Sequence, residues 1–211
     1  MPTVCFPVWF HRRWLLGLAV ALSGLAGCAH PLPPAEYHAY LADPAHGLTH
    51  TREVNGATIT CTYRPTDLLV LQELGNRAST SAARDSVARA YAGKAYCVLT
   101  LSKNGGEIEN QLINNRPVYE QALTYLNTGI AVDAVLASKA TPDSVAALTS
   151  MYLRNYGSTG RSTVLLVFDV AKLSTSQGFT LSWHDRQFAL GNQRFAFTSK
   201  ALGAIPALRF E

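Results

Sequence analysis

Between Ala57 and Tyr63 apolar and polar residues alternate. Ala57, Ile59, Cys61 and Tyr63 fall on one face, and Thr58, Thr60 and Thr62 on the other. A period of two over such a run predicts a half-buried strand. Around it the pattern changes to a helical one. A short helix is expected over 35–41, after Pro33-Pro34, followed by a turn at Asp43-Pro44 and Gly47. Thr66 caps a second helix over 67–74 that Gly75 stops. A third runs over 81–92, where Ala83, Val87 and Tyr91 recur every fourth residue and Gly93 follows.

From Lys94 onward strands dominate. Ala95, Cys97, Leu99 and Leu101 share one face, and Asn104-Gly105-Gly106 ends the run. Segments 118–127 and 130–138 flank Thr128-Gly129 and are expected as a hairpin. Segment 141–156 fits a helix through Val145, Leu148 and Tyr152, and equally a strand ending at Asn155-Tyr156-Gly157. Residues 162–170 are apolar on both faces, as in a central strand. Phe179, Leu181 and Trp183, and later Phe195 and Phe197, alternate with polar neighbours and are assigned to the core. Six or seven strands without a βαβ rhythm predict a mostly β (α+β) fold. The expected form is an antiparallel Ig-like sandwich, with a short N-terminal helical region packed on it, as one domain over 35–211.

The chain has 211 residues, 48% of them hydrophobic, enough for one packed domain. Its one long apolar run is at the start. His11-Arg12-Arg13 precedes Trp14–Gly27, whose 14 residues fall short of the roughly 20 needed to span a bilayer. The run ends in Leu25-Ala26-Gly27-Cys28, which resembles the bacterial lipobox. The resemblance implies removal of residues 1–27 as a signal peptide and acylation of Cys28. Residues 28–34 then form a Pro-rich tether, extended and poorly ordered. Multiple acyl chains anchor stably. Ala29 gives no inner-membrane retention signal, so the periplasmic face of an outer membrane is the expected location. Of the 18 basic residues Arg12 and Arg13 precede Cys28, while none of the 14 acids does, so the net charge falls from +4 to +2. Such a balance, with scattered basic residues, argues against a nucleic-acid partner.

Several stretches resemble a group of Bacteroidetes-type envelope lipoproteins to which no activity is assigned. They are Tyr40-Leu41-Ala42-Asp43-Pro44 with Gly47-Leu48, Tyr63-Arg64-Pro65-Thr66-Asp67-Leu68-Leu69 with Gln72-Glu73-Leu74, Arg154-Asn155-Tyr156-Gly157 and the strand around Phe168. The resemblance implies a lipid-anchored envelope protein and carries over no functional residue. Val167-Phe168-Asp169-Val170 also resembles strands of Ig-like domains in exported bacterial proteins, a likeness of fold alone.

Candidate chemistry is sparse. His46 and His50 are four apart and would share a metal only on a helix, which Pro44 and Gly47 oppose, so no metal or other cofactor is expected. With Cys5 in the leader and Cys28 acylated, Cys61 and Cys97 remain. They point to apolar strand faces, compatible with an inter-strand disulfide and with two separate buried thiols. Ser182, His184 and Asp185 hold the residue types of a hydrolytic triad, but they sit where a strand ends and turns. Glu107 and Glu109, spaced two apart, hold those of a glycosidase pair. The polar surroundings Lys103–Gln111 predict a solvated loop instead. The expectation is a non-catalytic interaction or accessory module, anchored in a membrane and engaging a protein of the envelope. Two other classes stay open: a hydrolase whose site assembles only in three dimensions, and a small-ligand or metal binder using the His-bearing N-terminal region.

Overall fold

The computed structural model describes residue 1, residues 30–75 and residues 79–210. Leu25, Ala26, Gly27, Cys28 and the leader before them lie outside the described residues. α1 (Pro34–Ala42) opens with proline at its first position, where the absent N–H has no partner to lose. β1 (Thr49–Val54) and β2 (Ala57–Arg64) form an antiparallel hairpin. Its turn residues Asn55 and Gly56 both take positive φ, as a two-residue hairpin turn requires. α2 (Thr66–Leu74) and α3 (Ser81–Tyr91) follow, the latter capped by Thr80, whose hydroxyl accepts the Ala83 N–H. Next come β3 (Lys94–Lys103), the two-residue β4 (Gly106–Glu107) and a 3₁₀ turn at Ile108–Leu112. Among the described residues no helix is long and apolar enough to cross a membrane.

The expected hairpin around Thr128-Gly129 is replaced by a helix. α4 (Arg116–Thr124) runs through a π-helical turn at Tyr125–Gly129 into α5 (Ile130–Val132). Pro117 stands in its first turn, Asn115 caps it, and Arg116 pairs with Glu120 at 2.8 Å. Ala122, Leu126 and Ile130 recur every four residues and are buried. Gly129 makes no turn. A Cβ there would lie 2.6 Å from the Tyr125 ring, so the glycine permits close packing. Then follow β5 (Ala134–Ser138), β6 (Ser144–Leu153), β7 (Ser162–Asp169), β8 (Gly178–His184), β9 (Asn192–Thr198) and α6 (Ser199–Gly203). The ambiguous segment 141–156 is thus a strand. It pairs with β5 by its first half and with β7 by its second, shifting register between Ala147 and Thr149.

The strands are antiparallel and follow the order β1-β2-β3-β7-β6-β5-β8-β9, with β4 added beside β3. The mostly antiparallel β expectation with a few helices is met. The sheet is one path curling into a nearly closed barrel, rather than the two facing sheets of an Ig-like sandwich. Its interior holds Ile59, Leu99, Phe168, Phe179, Trp183 and Phe197, and the α4–α5 stretch adds Leu126 and Ile130. Burial of each such side chain contributes about 1.5–3 kcal/mol. Gly178 takes a φ of +86°, and a Cβ there would lie 2.2 Å from the Phe197 carbonyl oxygen, so only glycine lets β8 start against β9.

β1 and β9 meet at the barrel's seam through side chains. Arg52 donates to the Arg194 carbonyl at 2.7 Å and lies over the Phe195 ring. His50 packs edge-on to Phe197, and Asn55 reaches the Ala189 carbonyl. A second, smaller core joins α1, α2, α6 and the C-terminal segment through Tyr37, Leu41, Leu48, Leu68, Ala201 and Leu208. The stretch expected as a loose tether is pinned here. The Leu32 N–H donates to the Ala207 carbonyl, and the Leu32 carbonyl accepts from the Arg209 N–H.

Candidate functional site

Glu107 and Glu109, expected in a solvated loop, are buried, with 4% and 1% of their surfaces exposed. β4 and the 3₁₀ turn fold this polar stretch back over one end of the barrel. The Glu109 carboxylate accepts hydrogen bonds from the Tyr152 and Ser162 hydroxyls, and Ser162 Oγ accepts the Ile108 N–H at 3.0 Å. Glu107 accepts the Gly157 N–H at 2.9 Å and an Asn110 amide hydrogen. Burial first, then the bond to Glu109, raises the Tyr152 hydroxyl far above its ordinary pKa. Ser162 is fully buried, so no substrate reaches it. The cluster clamps the segment after β3 to the β6–β7 connection.

The other candidates are drawn into the architecture in different ways. Asp185 is buried and accepts the backbone N–H groups of Gln187, Phe188 and Leu190. His184 is exposed and hydrogen-bonds Asn192, so Ser182, His184 and Asp185 form no relay. His46 stacks on Tyr40 and hydrogen-bonds that residue's carbonyl, whereas His50 faces Phe197 across the seam. Among the described residues no group of three or more His, Cys, Asp or Glu side chains is arranged to hold a metal. Cys61 and Cys97 are free, buried and diagonal across the β2–β3 ladder, where Cys61 pairs with Leu99 and Tyr63 with Cys97. Burial, then hydrogen bonding with Cys97, pushes the Cys61 thiol up.

What remains open to a ligand lies on the outside of the barrel. Along β1 and β2 most outward positions are threonines, with Glu53 and Arg64 at opposite ends, and the threonines pair across the hairpin. Thr51 meets Thr60 at 3.0 Å, and Thr62 meets Thr49 at 2.9 Å. Thr49 passes its own hydrogen to the Leu41 carbonyl, so Thr62 donates to Thr49 and keeps its lone pairs free. Thr100 of β3 continues this floor. α1 and α2 form the walls, with His38 and Gln72 at the rim and Leu41 and Leu68 below. The result is a cavity of about 490 Å³.

Two arginines line it. Arg64 follows Thr58, Thr60 and Thr62 on the outer face of β2, and Arg161 sits just before β7. Neither makes an ion pair or donates a hydrogen bond to another described residue. Arg64 is half-buried, and burial lowers its pKa. Among the described residues no carboxylate lines the cavity. A second cavity of about 810 Å³ adjoins it across the seam, sharing Pro44, Thr49 and Thr51 and adding Arg52, Arg194, Thr180 and Ser182. Neither Arg64 nor Arg161 stands out in the sequence. The signal available was the parity of Thr58, Thr60, Thr62 and Arg64, which puts the arginine at the end of a hydroxyl row. Fold and site together define a nearly closed antiparallel barrel with a basic, hydroxyl-lined groove on its outer wall. No family model, curated protein or solved structure matches the chain.

Proposed function

We propose that this protein is a non-catalytic interaction module held at a membrane surface by an acylated Cys28, on the periplasmic face of an outer membrane, where it engages a component of the envelope. Leu25-Ala26-Gly27-Cys28 at the end of the apolar run supports the anchor, and the pinning of Leu32 onto the C-terminal segment supports a short tether between it and the barrel. Leu32 lies four positions beyond Cys28, and four extended residues reach at most about 14 Å. An anchor at Cys28 therefore holds the barrel against the bilayer. α1, which walls the groove, starts two residues after Leu32, so the groove is built on the element nearest the anchor. The occupation of Glu109, Ser162 and Asp185 by internal hydrogen bonds further supports binding over catalysis. The test is Cys28→Ala in the full chain, followed by membrane fractionation and fatty-acid labelling. Loss of label and release from the membrane fraction is the expected result. A variant that labels and fractionates like the parent overturns the reading.

A further inference from the structure

We infer that the groove between α1, α2 and the outer face of β1–β3 is a binding site for a small hydroxylated anion, a sugar bearing a phosphate group, gripped between Arg64 and Arg161. The inference does not depend on the anchor at Cys28, and the two can fail separately.

A half-buried guanidinium carries five N–H donors, and taking it from water without an acceptor is unfavourable. Arg64 donates to no described residue and its guanidinium keeps contact with solvent in the cavity, so an anion that enters can take the place of water on its donors. Arg161 brings a second fork to the same cavity, whose described lining holds no carboxylate. Paired guanidinium forks match the oxygens of a phosphate.

Arg161 is exposed, yet its loop is held at both ends. Glu107 binds the Gly157 N–H, and Gly160 packs so closely on Gly105 that a Cβ there would lie 2.7 Å from its carbonyl oxygen. The buried acids thus hold the loop that brings Arg161 to the groove.

The rest of the lining selects for hydroxyls. Thr60 and Thr100 offer hydroxyls, and Thr62, whose hydrogen goes to Thr49, offers lone pairs that accept from a polyol's hydroxyls. Among the described residues no Phe, Tyr or Trp lines the cavity and His38 stands only at its rim, so a nucleotide base finds no broad ring on the floor to stack on. A volume of about 490 Å³ lies within the usual range for small-molecule sites. The sugar phosphate is either free or the headgroup of a lipid, and the same contacts serve both.

The test is titration of the full chain in neutral detergent micelles, followed by calorimetry. Glucose 6-phosphate is expected to bind saturably, and glucose at equal concentration to give no heat. Arg64→Gln and Arg161→Gln are each expected to weaken binding at least tenfold, and Thr60→Val about threefold, with far-UV circular dichroism and urea midpoints unchanged. A second arm adds phosphatidylinositol 4-phosphate to the micelles. Competition with glucose 6-phosphate assigns the site to a lipid headgroup, and saturable binding without competition to a free sugar phosphate; either upholds the shared chemistry. No saturable binding in either arm overturns the inference. So does binding that both arginine variants leave unaltered. Inorganic phosphate binding as tightly as glucose 6-phosphate overturns the sugar half of it.

Discussion

The carboxylate end of the barrel and the arginine groove are both clusters of charged side chains, and they stand in opposite conditions. Glu107 and Glu109 are buried, and protein donors meet them: two hydroxyls, a backbone N–H and an amide. Arg64 and Arg161 border a cavity and donate to no described residue. A polar group whose hydrogen bonds are all made inside the protein is part of the framework. One whose donors face a cavity is available to something else. The residues that resemble catalytic machinery by type are the framework here, and the less conspicuous arginines are the receptor.

That contrast can be broken experimentally, beginning where the effect is largest. Glu109→Ala leaves the Tyr152 and Ser162 hydroxyls buried without their acceptor, and urea unfolding is expected to show a loss of about 3 kcal/mol. A loss below about 1 kcal/mol would mean the cluster is not a clamp. Glu107→Ala is expected to cost about 1–2 kcal/mol and also to weaken glucose 6-phosphate binding severalfold, because Gly157 is released near Arg161. Stability loss without any change in binding would separate the two regions entirely.

Smaller effects sharpen the picture. Arg52→Ala removes one hydrogen bond and a cation–π contact at the seam, and a loss of about 1 kcal/mol is expected from thermal or urea unfolding. Alkaline titration probes the barrel interior. Burial raises the Tyr63 pKa from 10.0 to about 12. The unfolded chain therefore gives up this proton first, and stability present below pH 10 declines as the pH rises through 12, readable as a falling urea midpoint. Arg64→Gln is expected to have the least effect on folding, within about 0.5 kcal/mol, while it weakens anion binding at least tenfold.

The strands with strict alternation were legible from residues alone. β2, β3, β8 and β9 carry Ile59, Leu99, Trp183 and Phe197 inward, and the two helices between β2 and β3 lie where their apolar pattern and glycine stops placed them, although Thr66, expected as a cap, is the first residue of α2 and makes no capping hydrogen bond. β1 was not legible, because its barrel-facing positions are His50, Arg52 and Val54, and only the last is apolar. That polarity belongs to a strand at an open seam, where inward side chains reach across to β9. α4 was obscured by Thr128-Gly129, a turn signal by composition that packs against Tyr125 instead. Glu107 and Glu109 were misjudged because burial came from a fold-back onto Tyr152 and Ser162, more than 40 residues away in the chain. The groove needed α1, α2, two hairpin strands and Arg161 in one place, which no local pattern encodes.

The most direct test of this division is the urea midpoint of the parent and of Arg64→Gln, each with and without glucose 6-phosphate at about 100 times its dissociation constant for the parent. Without ligand the two midpoints are predicted to coincide. With ligand the parent should gain about 2.7 kcal/mol and the variant, binding at least tenfold more weakly, no more than about 1.4 kcal/mol. Equal gains in both proteins, a gain in neither, or a variant already destabilised without ligand would contradict the account.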